Sequence, residues 1–152
     1  MTARWLLAAA HLLALGIGLG AVWGRSRALR GTLDRRGLSR VFAADAWWGL
    51  AAAVWIATGL ARLFSGFEKG TDYYLHNWAF HTKMGLFLLI LALEAWPMAT
   101  LIRWRVALGR GETPDTRHAR AFAAISVVEA HLVVGIVLAA SAMARGMAQL
   151  SR

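Results

Sequence analysis

Four windows of about 20 mostly apolar residues set the limits of this fold, because each is long enough to cross a hydrocarbon core of about 30 Å as a helix. They run over residues 5–23, 46–64, 78–102 and 121–144. A backbone polar group left unpaired in lipid costs several kcal/mol, so each window has to be helical. The reading is an all-α, integral membrane four-helix bundle, a single domain over residues 1–152. Composition agrees: 59% of the 152 residues are hydrophobic and only 16% are charged, against about 25% charged in a soluble domain. The three connections leave no room for a soluble domain.

A net charge of +9 could suggest nucleic acid, but the arginines sort by side. The first connection carries Arg25, Arg27, Arg30, Arg35, Arg36 and Arg40, and the third carries Arg103, Arg105, Arg110, Arg117 and Arg120. The second offers only Arg62 and Lys69. The positive-inside rule makes the first and third connections cytoplasmic, with both termini and the 65–77 loop periplasmic. Expected partners are therefore the lipid bilayer and no nucleic acid, and the expected location is the bacterial inner membrane, as a multi-pass protein.

The chain has no cysteine, which removes disulfides, thiolate metal sites and cysteine nucleophiles. Its first apolar window is longer than a signal-peptide core and is followed, not preceded, by its positive charges, so it is expected to stay as a helix. Seven of the eight tryptophans fall near window ends, as an aromatic belt at headgroup level would place them, while Trp55 lies mid-span. Gly16, Gly20 and Gly24 strip the bulk from one face of the first helix, and small residues recur along the fourth. Such faces suit close helix contact, within one chain or in a homo-oligomer. Pro97 should bend the third helix or loosen its hydrogen bonding.

Ionisable residues inside these windows need partners, since burying one in hydrocarbon is expensive. At 1.5 Å per residue, His11 lies about 9 Å from the outer end of its helix, His81 about 4 to 5 Å and Lys83 about 7 to 8 Å. Arg62 can reach that layer. A deeper layer holds His131, Glu129 and Glu94, with Asp45 at the cytoplasmic mouth. Lys83 and Glu94 are eleven residues apart, about three turns at 3.6 per turn, so they share a face with Phe87 and Ile90. Glu129 and His131 cannot share one. The outer layer reads as a cofactor or substrate site: a buried imidazole suits haem iron, and flanking cations suit propionates. The bland alternative is mutual hydrogen bonding or snorkelling. The deeper layer reads as proton handling or as structural pairing of Glu94 with His131. His76 and His118 read as solvated loop residues.

On AAAHLLALGIGLGAVWGR and WAFHTKMGLFLLILALEAW, the chain resembles HemJ, the membrane protoporphyrinogen IX oxidase, and the related CopD-type membrane proteins. Through its DYYLHN and EAWPM segments the whole chain is similar to a family of bacterial predicted membrane proteins of about this length. The HemJ likeness implies haem b, with His11 at the essential histidine of the first helix and Lys83 at the essential lysine of the third; this chain departs at Leu93 and Glu94. On that likeness the expected activity is a haem-dependent oxidoreductase acting on a porphyrin or quinone-like substrate. His11 is an axial ligand to the metal, with His81 or His131 as a second. Lys83 and Arg62 meet propionates or an anionic substrate, and Glu94 handles protons, so Lys83 and Glu94 are the catalytic candidates. Two other readings stay open: CopD-like transport of copper or another ion, and a membrane assembly subunit without chemistry.

Overall fold

The computed structural model describes residues 2–64 and 77–145. They form four α-helices: α1 Thr2–Leu29, α2 Arg35–Phe64, α3 Trp78–Gly109 and α4 Ala119–Ala144. All four are long and apolar enough to cross a membrane. The arginine-rich connections lie at one end of the bundle, and the start of α1 and the end of α4 at the other. The second connection over 65–76, with Lys69 and His76, lies outside the described residues.

The helices outrun the apolar windows at the arginine-rich end. There α1 continues to Leu29, α2 begins at Arg35, α3 runs to Gly109 and α4 begins at Ala119. Arginine is a good helix former, so a backbone helix need not stop where hydrocarbon does. The link from α1 to α2 is therefore only 30–34. Asp34 caps α2 by accepting from Gly37 N at 2.7 Å, and a Cβ at Gly37 would collide with the Thr32 carbonyl, so the turn needs glycine there. Asn77 caps α3 in the same manner, accepting from Ala79 N at 3.0 Å. Pro97 is buried inside α3, which remains one helix across it.

α1 packs on α2 and on α4, and α3 packs on α4. Two apolar layers result. One, at the arginine-rich end, joins Leu29, Leu38, Val41, Leu101, Trp104 and Phe122. The other, mid-bundle, joins Val22, Trp48, Ile90, Ala130, Val133 and Ile136. Large apolar residues such as Leu12, Leu13, Leu88 and Leu138 stand exposed around the outside, where lipid is the solvent.

One expectation is corrected. Trp48 and Trp104, assigned to the interfacial belt, are core residues at 8% and 4% exposure, whereas Trp5, Trp23, Trp47, Trp78 and Trp96 are exposed. The helical extensions bring the first two over the apolar layers. Among the described residues an added Cβ at Gly16, Gly20 or Gly24 would meet nothing within 4 Å; the glycine that admits a close neighbour is Gly18, whose added Cβ would stand 3.3 Å from the Trp48 ring and 3.4 Å from Ala51 Cβ. Gly18→Val is thus expected to cost about 1–3 kcal/mol by overpacking, while Gly16→Ala and Gly20→Ala, with open space at each Cβ, should cost nothing and add up to about 1 kcal/mol of helix stability. Thermal unfolding in detergent measures both.

Candidate functional site

At the end of the bundle opposite the arginine-rich connections, all four helices line a cavity of about 890 Å³. His11 and Leu12 of α1, Trp55, Gly59 and Arg62 of α2, and Lys83, Met84 and Phe87 of α3 contribute to its wall, and α4 closes it with Ile136, Ala140 and Met143. Lys83 and Phe87 are four residues apart, one turn of α3, so both side chains reach the same wall.

His11 is held in one orientation. Its Nδ1 lies 2.8 Å from Thr58 Oγ, and that hydroxyl donates to Val54 O at 2.7 Å. With the hydroxyl proton on Val54 O, the threonine oxygen is placed to accept from His11 Nδ1–H, the tautomer that carries the ring's lone pair on Nε2. The imidazole stacks on Trp55 with centroids 5.3 Å apart and planes 22° from parallel, and Phe87 meets Trp55 edge-on at 5.3 Å. At Gly59 an added Cβ would stand 3.4 Å from His11 Cε1, in ordinary contact, so the imidazole lies directly against this turn of α2. Lys83 Nζ lies 5.5 Å from the Phe80 ring centroid. Trp55, singled out in the sequence only as the mid-span exception, is the plate against which the histidine rests; its buried Nε1 has no hydrogen-bond partner among the described residues.

His81 and His131 do not join this site. His81 is exposed on α3, beside the Phe80 ring at 5.9 Å. His131 is exposed on α4, its Nδ1 bonded to Val127 O at 2.7 Å, and it flanks a groove with Gly16, Gly20 and Trp23. Both leave the set of ligands for a metal at His11. Depth alone had grouped them with the polar layers, and depth does not report azimuth. His118 is half-buried at the start of α4 with its ring 5.3 Å from Trp96, so it is not the solvated loop residue expected.

Between the two apolar layers lies a second polar site, centred on a residue assigned to the first connection. Arg25 belongs to α1 and is fully buried at 0% exposure. Its Nε donates to Ser126 Oγ at 3.0 Å; Nη1 donates to Asp45 at 2.9 Å and Glu94 at 2.7 Å; Nη2 donates to Glu94 at 2.7 Å and Glu129 at 2.8 Å. All five guanidinium N–H bonds are used. Asp45 also accepts from Arg105 at 2.9 Å. One side chain of α1 thus binds α2, α3 and α4 at once. Glu94 pairs with Arg25 and not with His131, and of the pair on α4 it is Glu129 that faces inward. The sequence held a signal for this: Gly18, Val22, Arg25 and Leu29 follow a 4-3-4 spacing, and all four are buried, so Arg25 lies in register with the packed face of α1.

Among the described residues no group of three His, Cys, Asp or Glu could hold a metal ion; in the acidic cluster the guanidinium stands where a cation would. A model of one protein family, described as a predicted membrane protein (DUF2214), matches residues 3–148. The chain belongs to that family. The DUF2214 match takes in all four helices, and with four candidate spans the chain is a multi-pass integral membrane protein. No curated protein and no solved structure matches it.

Proposed function

We propose that the chain binds haem b in the four-helix cavity, where His11 would hold the iron, and acts as a membrane oxidoreductase on a porphyrin or quinone-like substrate. The observation that carries this reading is the pairing of His11 Nδ1 with Thr58 Oγ at 2.8 Å on the cavity wall, the kind of outer partner that orients a ligating histidine. The wall suits the rest of the group. Trp55, Phe87 and Ile136 offer apolar surface to a macrocycle, Lys83 and Arg62 offer cations to its carboxylates, and about 890 Å³ lies within the range of about 300–1,000 Å³ for small-molecule sites. Haem, when bound, supplies one-electron chemistry at iron. The protein's share is to hold the imidazole upright and exclude water. Glu94 lies with Arg25 and off the cavity wall, so its part is removed from ligand contact.

Met84 and Met143 line the same cavity as His11, and thioether with imidazole favours copper as a second reading, a CopD-like transport role. A visible spectrum of protein purified in mild detergent separates the two. Haem gives a Soret band with alpha and beta bands on reduction. A colourless preparation that takes up copper(I) overturns haem in favour of copper, and one that binds neither overturns both.

A further inference from the structure

The Arg25 cluster sets two cations, Arg25 and Arg105, against three carboxylates, Asp45, Glu94 and Glu129. These are the charged groups that face one another there from α1, α2, α3 and α4. Arg25 and Glu129 are sealed at 0% side-chain exposure, and Asp45 and Glu94 are nearly so at 15%. One negative charge is left over in a layer enclosed by apolar residues above and below, where an uncompensated ion is expensive.

Donor arithmetic locates the excess. Glu94 takes both of its bonds from Arg25 as a two-pronged pair, the arrangement that suits an ionised carboxylate. Ser126 gives its proton to Phe122 O at 2.9 Å. Arg25 has no N–H left. Glu129 Oε2 is served by Arg25, but Glu129 Oε1 is buried and has no hydrogen-bond partner among the described residues. A cluster with surplus acceptors and exhausted donors is completed by a proton.

We propose that the Arg25 cluster is a proton-binding site that carries one exchangeable proton on the Glu129 and Glu94 carboxyl pair, held mainly by Glu129. With it the cluster is electrically neutral. The proton enters from hydronium at the arginine-rich end onto Asp45 or Glu94, the two carboxylates with residual exposure, leaving water behind; it then passes to the Glu129 carboxylate as the donor returns to carboxylate, and it leaves by the reverse steps. The site stands apart from the His11 cavity and needs no cofactor.

Infrared spectroscopy of the full chain in detergent or lipid nanodiscs tests this. At neutral pH the wild type should show a carboxylic-acid C=O band that shifts on exchange into deuterium oxide. Glu129→Gln should abolish it. Glu94→Gln should abolish it too, since with one carboxylate fewer the cluster is neutral without a proton. His11→Ala and the exposed-site control Asp115→Asn should leave it in place, so loss of haem and loss of the proton are told apart. Absence of the band from the wild type at neutral pH overturns the proposal, as does its survival in either glutamine variant. Should neither variant fold, the wild-type spectrum still decides.

Discussion

Arg25→Ala is expected to leave little or no folded protein in detergent extracts. The substitution strands Asp45, Glu94 and Glu129 with no cation on α1, and removing one partner from a buried ion cluster costs about 3–5 kcal/mol, a large part of the about 5–15 kcal/mol that holds a typical domain together. Arg25→Lys keeps the charge yet supplies three donors on one nitrogen in place of five in a planar fork, so it should retain part of the stability and not all. The contrast is Arg105, 40% exposed and bonded to Asp45 at the rim; Arg105→Ala is expected to cost less than about 1 kcal/mol. Thermal melts of the three variants in one detergent order them directly. Arg25→Ala melting no lower than Arg105→Ala would show that the central fork does not hold the helices.

His11→Ala is expected to abolish the haem spectrum while leaving the fold intact. The ring borders a cavity and the substitution removes no buried charge, so the loss should appear in the Soret band and not in the melting of the apoprotein. Thr58→Val is the sharper variant. It keeps His11 and the shape of α2 but removes the hydroxyl that pairs with Nδ1, and loss of such an outer partner typically lowers affinity by about 10–100-fold. A titration of apoprotein with hemin should therefore rank wild type above Thr58→Val and Thr58→Val above His11→Ala. Equal binding by all three would remove His11 from the site.

The four helices were legible because a membrane span announces itself by length and apolarity alone, and the inner layer was legible because Glu94 and Glu129 had nowhere else to go. Lys83 and His11 could be brought to one layer by counting residues from the helix ends. Azimuth was not available from such counting, which is why His81 and His131 were grouped with residues they do not face. Arg25 was hidden by its company: five further arginines follow it by residue 40, and a positive cluster after an apolar window reads as a topology signal. Only the continuation of α1 for six residues past Trp23 brings that side chain inside. Likewise Trp48 and Trp104 are ordinary belt residues by position and become core residues once α2 and α3 extend past the hydrocarbon.

The saturation of one guanidinium has a consequence for how the bundle finds its vertical alignment. In a bilayer, lipid tails are as apolar as leucine, so oily helix surfaces lose little by sliding along one another. Five directed bonds from a rigid planar fork tolerate no such slippage, and they choose one stagger of the four rods from many of similar energy. Disulfide trapping between cysteines introduced on facing turns should accordingly capture a single offset in the wild type and several in Arg25→Lys.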